Sequence, residues 1–537
     1  MPLPAWLSAV SGRRWVVGVF FGLLALLGLA LHGDYGVSWD ETNNHLNGLV
    51  NLKYISSLLP AGSLLRYHPT FATTPNIREF PDAHHGPVFE ISAVILSYLF
   101  TDHDPRSYFL LRHLLIFSLF LVGAWAVYRL GTSWLRDWRW GLLTAALLIL
   151  SPRFFAEAFY NGKDIVYMAF FTLAMYTLTR LMQQPTAGRV LVHGLATALA
   201  IAVRVQGAQL LIFTALGLVL SAKQAEGRWQ LARGYVIYLL VVLLGVFSVW
   251  PYLWAHTVPE LLDVSTHAVR YPWPFTNLYM GQFLSVGQLP WHYVPVWMAI
   301  TIPLPYSLSA ALGLLVALKH CRIRGSLTQL TESGSIAVLV ALWLLAPLLV
   351  VMLTHTVVYE GWRHLYFIYP ALLLWAVQGF RQLLHWSREP GLRLAARLAL
   401  GLALLETGHT AWQIVQLHPY QNVYFSFLPA AKAERLFERD YWGLAYRQGL
   451  EWMLAHDPAP VVTMRALWHY PLYNNSLILK PEQRARLRYT PDSTARYYLT
   501  GYRWHPQPYL DSLGSEVFTI RAANGIKVLS VFRQPGR

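Results

Sequence analysis

The stretch "WVVGVFFGLLALLGLALHGDYGVSWDETNN" (residues 15–44) sets an unbroken apolar run almost directly against two adjacent acids, Asp40 and Glu41. The run approaches the roughly 20 apolar residues that cross a bilayer. Arg13 and Arg14 stand just before it, and a basic pair at that position keeps the N-terminus in the cytoplasm. The two acids therefore emerge on the outer side. No small-x-small cleavage site follows the run, so it reads as a retained anchor rather than a signal peptide.

The rest of the chain repeats the pattern. Of 537 residues, 55% are hydrophobic and 13% charged, with 22 Trp and 30 Tyr, a composition that fits a polytopic membrane protein and not a soluble domain. Apolar runs at about 15–31, 110–130, 138–152, 165–182, 190–203, 207–221, 234–254, 292–318, 335–354, 364–380 and 393–413 give eleven expected spans. With that count the cytoplasmic segments collect 17 Lys and Arg against four acids (Asp137, Glu226, Glu332 and Glu389), while the outer loops carry more acids than bases. A further apolar stretch at 87–101 is short and contains Glu90. Counting it as a span would invert everything after it and erase the asymmetry, so it is expected to lie at the interface as a juxtamembrane or re-entrant helix.

The net charge of +15 is accounted for by this sidedness, and no basic block interleaved with aromatics suggests nucleic acid. A lone cysteine, Cys321, excludes an internal disulfide and a Cys-rich metal site. Outside the membrane lie a long first loop (32–109), "RFFAEAFYNGKD" (153–164), a loop at about 255–291, "HTVVYEGWR" (355–363) and the tail after 413. The tail mixes a helical stretch, "WGLAYRQGLEWMLAH", with runs such as "APVVTMRAL" and "EVFTIRA". That alternation is expected of a small α+β domain over 414–537, following a transmembrane domain over 1–413.

Acids gather at the outer span ends: Asp34, Asp40 and Glu41 after the first span, Glu157 and Asp164 before the fourth, Glu360 before the tenth. Adjacent carboxylates repel unless a cation or a base compensates them. Such a cluster suits a hard divalent cation such as Mg²⁺ or Mn²⁺, or a general base. Lys163, Arg204 and Arg363 stand at outer span ends against the sidedness bias. A phosphate lying at that surface would pair with them, as would the neighbouring acids. His84 and His85, close to Glu90 on the juxtamembrane helix, form with Glu360 a candidate substrate or Zn²⁺ site without a fixed ligand spacing.

In their order and sidedness, "WDE" after the first span, "HHGPVFE", "SPRFFAEAFYNGKD", "GLATALAIAVRVQGAQLLIFTALG" and "YEGWRHLYFIYPALLL" resemble the GT-C class of polytopic glycosyltransferases. Within it they are similar to the bacterial relatives of protein mannosyltransferases and of the aminoarabinose transferase that modifies lipid A. The resemblance covers residues 10–425. It implies a mainly α bundle of about eleven transmembrane helices with outer-face juxtamembrane helices, in the bacterial inner membrane. It also implies transfer of a sugar from a polyprenyl-phosphate donor to a lipid, glycan or protein acceptor at the outer face. By the same analogy Asp40, with Glu41, would be the general base or a metal ligand, Asp164 would complete the site, and Lys163, Arg204 and Arg363 would hold the donor phosphate. The second loop reads "NGKD" instead of a D-x-E pair, which leaves metal dependence open, and the tail does not match that of the aminoarabinose transferase.

Two other classes fit parts of the pattern. A transporter or flippase of lipid-linked precursors would need ionisable groups near the membrane midplane, where Glu406 is the main one. A non-catalytic assembly protein would depend on the tail and not on the carboxylates.

Overall fold

Aspartate and proline set several of the helix boundaries. Asp104 accepts from Arg106 N at 2.9 Å ahead of Pro105, and Asp137 accepts from Arg139 N at 2.9 Å, each satisfying one of the free N–H groups that every helix start leaves. The computed structural model describes residues 5–221, 228–260, 274–324, 331–354, 356–490 and 494–534. Lys223, Glu226, His355 and part of the 255–291 loop lie outside the described residues.

The helices used below are α1 (Ala5–Leu31), α2 (Glu41–Ser57), α3 (Val88–Phe100), α4 (Pro105–Leu135), α5 (Trp138–Ile149), α6 (Pro152–Tyr160), α7 (Asp164–Gln183), α8 (Ala187–Ile201), α9 (Gln209–Ser221), α10 (Arg228–Val249), α11 (Tyr293–Thr301), α12 (Leu304–Arg324), α13 (Glu332–Thr354), α14 (Tyr369–Trp386) and α15 (Arg393–Gln416). Among the described residues, α1, α4, α7, α10 and α13 are long and apolar enough to cross a membrane, and the bent pairs α5–α6 and α11–α12 bring that number to seven. The remaining expected spans fall on α8, α9, α14 and α15.

Two expected spans have a different shape. The run at 292–318 is not one rod: α11 and α12 meet at 120°, because Pro303 and Pro305 remove the N–H groups a continuous helix would need. The segment after 138–152 is not an open loop, since α6 starts at Pro152 and leaves α5 at 72°. The stretch at 87–101 forms the short helix α3 packed on α2, with Gly48 against the Glu90 carbonyl.

Close packing of α12 on α14 rests on glycine. A Cβ on Gly379 would lie 1.9 Å from Ser309 O, and one on Gly313 2.4 Å from Trp375 O, so only hydrogen lets these backbones approach.

The tail combines helices with one sheet. Strands β3 (Val462–Ala466), β4 (Leu487–Tyr489), β5 (Tyr497–Gly501), β6 (Ser515–Arg521) and β7 (Lys527–Arg533) make one sheet in the order β4-β3-β5-β7-β6. It is parallel at β4-β3-β5 and antiparallel at β5-β7-β6. Helix α16 (Tyr446–His456) packs on it, and a Cβ on Gly449 would meet Leu529 at 2.7 Å. A short hairpin, β1 (Asn277–Tyr279) and β2 (Gln282–Leu284), bridges to Phe437 and ties this loop to the tail.

Candidate active site

Asp40 precedes the first residue of α2, and its carbonyl accepts from Asn44 N at 2.9 Å. The preceding residues 36–39 belong to no helix or strand, yet buried backbone groups need partners. Two buried asparagines of the tail provide them. Asn475 Oδ1 accepts from Val37 N at 3.1 Å, Asn475 Nδ2 donates to Val37 O at 3.1 Å, and Asn474 Nδ2 donates to Ser38 O at 2.9 Å. Trp39 N donates to Trp442 O at 3.0 Å. The loop that presents Asp40 is thus held by residues more than 400 positions later in the chain.

Arg363 is the centre of the cluster. Its Nη1 lies 3.3 Å from Asp40 Oδ2 and 3.2 Å from Asp164 Oδ2, and its Nη2 lies 2.9 Å from Glu360 Oε2. Arg204 pairs with the other oxygen of Asp164, and Arg503 of the tail pairs with the other oxygen of Glu360. Tyr441, also from the tail, donates its O–H to Asp40 Oδ1 at 2.7 Å. Local structure fixes each partner. Asp164 opens α7, where Asn161 Oδ1 accepts from its N–H at 2.9 Å and Asn161 Nδ2 donates to its carboxylate at 3.0 Å. Glu360 and Gly361 both take positive φ, 61° and 74°, and that tight left-handed turn carries the Glu360 carboxylate back toward the Arg363 guanidinium. A non-glycine residue at such a φ is uncommon, and here the two arginines on its carboxylate accompany it.

Exposure separates the acids. The side chain of Asp40 is 27% exposed, while those of Asp164 and Glu360 are at 1% and 0%. Burial pushes Glu360 up to about 7 against the opposing charges of Arg503 and Arg363. Asp40 faces a cavity of about 690 Å³ that Lys163, Arg204, Arg363, His84 and His85 also line. Burial, with the charge of Arg204 second, holds Lys163 down to about 8. Burial and then Lys163 hold His85 well below its usual value, and its ring lies 3.6 Å from Asp82.

The expected site residues Glu41, Glu90 and Glu360 lie elsewhere than in the cavity lining. Glu41 does not support Asp40 at the cavity. Its Oε1 is 3.4 Å from Arg112 Nε and 3.1 Å from His113 Nε2, its Oε2 accepts from Ser38 N at 2.6 Å, and its side chain is fully buried. Glu90 does not join His84 and His85 either, because it pairs with the same Arg112, whose Nη2 is 3.0 Å from Glu90 Oε1. Arg112 has no exposure, and an unpaired buried guanidinium would be costly, so it draws both acids behind the cavity. Glu360 stands behind Arg363 and apart from the histidines. Among the described residues no group of three or more His, Cys, Asp or Glu is arranged to hold a metal ion. The oxygens of Asp40 and Asp164 are engaged by arginine, asparagine and tyrosine, an arrangement that does not fit a cation between them.

Tyr441 and Arg503 were not legible as site residues. They lie in "RDYWG" and "GYRWHP" of the tail, and no spacing or periodicity marks them.

Crystal structures of ArnT from Cupriavidus metallidurans share this architecture. The apo structure matches over 97% of this chain and 98% of its own with a TM-score of 0.51 at 14% identity. The structure bound to undecaprenyl phosphate matches over 96% and 98% with a TM-score of 0.50 at 13% identity. The chain has the ArnT fold. At that identity the likeness is one of fold, and it covers the tail as well as the membrane helices. No family model and no curated protein sequence matches the chain.

Proposed function

We propose that this chain is a glycosyltransferase that moves a sugar from a polyprenyl-phosphate donor to an acceptor hydroxyl at the outer face of the bacterial inner membrane. The observation that carries the reading is the convergence of Asp40 with Arg363, Arg204 and Lys163 on one cavity. Inverting transfer needs a base on one face of the sugar and charge stabilisation of the leaving phosphate on the other. Asp40, the exposed carboxylate on Arg363, takes the proton of the acceptor hydroxyl as its oxygen attacks the anomeric carbon. The bond from that carbon to the phosphate oxygen breaks, and the phosphate leaves with the electron pair toward Lys163, Arg204 and Arg363. Asp164 acts as a positioning residue that holds two arginines side by side. No step is assigned to a divalent cation, since the guanidinium groups already supply positive charge where the phosphate would lie. Binding of undecaprenyl phosphate by a protein of the same fold supports the donor class.

On this reading eleven spans keep the N-terminus in the cytoplasm, and the 414–537 domain stands on the outer face, where Tyr441 and Arg503 complete the site. The test is transfer from a panel of undecaprenyl-phosphate sugars by the full-length protein in vesicles, compared with Asp40→Asn. A covalent product that the variant does not make is the expected result. Movement of the lipid-linked precursor across the vesicle without any covalent product would replace this reading with the flippase.

A further inference from the structure

The cavity is lined by aliphatic and aromatic side chains together. Leu46, Val203 and Val205 line it along with Lys163 and Arg204, and Trp39, Tyr470, Tyr473 and Phe275 line it along with Asp40. The aromatic part of the lining continues into a smaller pocket of about 70 Å³ that Trp39, Trp468, Trp504, Arg503 and Tyr441 share. The ring centroids form one connected surface: Trp39 to Trp468 6.2 Å, Trp39 to Tyr470 6.3 Å, Trp468 to Trp504 5.1 Å. Trp39 meets Trp468 at 60° and Trp504 at 80°, while Trp504 stacks on Phe275 at 5.3 Å and carries Arg503 over its ring. Tyr470 is 63% exposed and Tyr473 42%.

Three distant parts of the chain build this wall, namely the loop before α2, the segment before β1 and the tail. An aromatic belt at a membrane surface would face lipid. These rings face a cavity with polar groups in it. Asn43 donates to Asp82 at 2.6 Å on its rim, and Arg503 lies 3.9 Å over Trp504. Aromatic faces carry negative potential and attract groups with positive edges, which the C–H face of a pyranose presents. The ring's hydroxyls need hydrogen-bonding partners, and amide, carboxylate and guanidinium groups beside the rings offer them.

We propose that this aromatic wall binds a saccharide of the acceptor, so that the acceptor is a glycan or a glycolipid headgroup. The proposal rests on the glycosyltransferase reading above and adds the acceptor class to it. Because Trp39 is next to Asp40 in the chain, a sugar on this wall brings its hydroxyl to the base.

The experiment uses the full-length protein in detergent, soluble oligosaccharides (malto-, chito- and manno-tetraose) and undecaprenyl phosphate. Saturation-transfer NMR reports saccharide binding, and thermal shift reports the lipid phosphate. Tyr470→Ala with Tyr473→Ala removes two exposed rings, with thermal unfolding as the check that the variant is folded, and Trp468→Ala is the second variant. The expected result is saccharide binding by the wild type, weakened about tenfold in the double variant, with the undecaprenyl phosphate shift unchanged. Lipid-phosphate binding without binding of any of the three saccharides overturns the proposal, as does equal loss of both ligands in the double variant, which would give the wall to the donor. Saccharide binding without any lipid-phosphate shift leaves the wall standing and removes the donor reading instead.

Discussion

Arg363 and Asp40, 323 positions apart, meet at 3.3 Å, and the same arginine nitrogen lies 3.2 Å from Asp164. One planar guanidinium thus serves three carboxylates and the Tyr441 hydroxyl, at 3.3 Å from Nη2. Lysine cannot reproduce a fork of fixed donors. Arg363→Lys is expected to fold and to lose on the order of 10²–10³-fold in kcat/KM, the scale of one preorganised electrostatic contact. Arg363→Ala leaves buried acids short of a partner, at a cost of about 3–5 kcal/mol, and is expected to fail in thermal unfolding before any activity is measured. A Lys variant with wild-type kcat/KM would remove Arg363 from the reaction.

Asp40 and Glu41 are neighbours in sequence with opposite surroundings, so their substitutions separate chemistry from folding. Asp40→Asn keeps the shape and an acceptor for Tyr441, and its turnover should fall about 10²–10⁴-fold, the range of a lost general base, with the melting temperature little changed. Glu41→Gln keeps an oxygen for Ser38 N but withdraws a charge from Arg112 and His113. It should lose roughly 1–3 kcal/mol of stability, while each folded molecule turns over near the wild-type rate. The reverse pattern would move the base to Glu41.

Much of this was legible because hydropathy and charge sidedness are set locally. The eleven apolar runs fall on helices or bent pairs, the stretch at 87–101 forms α3, and Asp40, Lys163, Asp164, Arg204 and Arg363, expected to share one face, come together. What was not legible depends on three-dimensional neighbours. Arg112 lies inside the apolar run of α4, and nothing in that run shows that it takes Glu41 and Glu90 away from the cavity. Tyr441 and Arg503 reach the site only because the tail folds back over the first loop, a contact without a sequence period. The break at Pro303 was written in "TIPLPYS", but the run's overall hydropathy concealed it.

The tail should act as part of the site and not as a detachable cap. Tyr441→Phe removes the hydroxyl that donates to Asp40 and accepts from Arg363, and it is expected to lower kcat about tenfold, the value of one hydrogen bond to a charged group, with a modest fall in melting temperature. Arg503→Met leaves Glu360 with one arginine, and its melting temperature should fall. Wild-type kcat in Tyr441→Phe would reduce the tail to a structural role.

Chelation gives an independent check on the charge arrangement. With arginine, asparagine and tyrosine on the carboxylates of Asp40 and Asp164, EDTA is expected to leave the transfer rate unchanged. A rate lost in EDTA and restored by Mg²⁺ or Mn²⁺ would show that those side chains give way to a cation when the donor binds.

Lys163 should give the reaction its alkaline limit. Burial and the nearby Arg204 hold it down to about 8, so its ammonium charge is present below that pH and lost above it. Donor binding that uses this charge weakens as pH rises past about 8, seen as a rising donor KM. Lys163→Arg stays charged throughout and should flatten the curve over the same interval. Stability moves the other way. Between about 8 and the usual lysine value of 10.5 the unfolded chain binds more protons than the folded one, so the donor-free protein gains stability with pH there. A donor KM that climbs while the melting temperature of the donor-free protein also climbs, with both trends absent in Lys163→Arg, would assign the limit to this residue. An identical KM curve in the variant would assign it elsewhere.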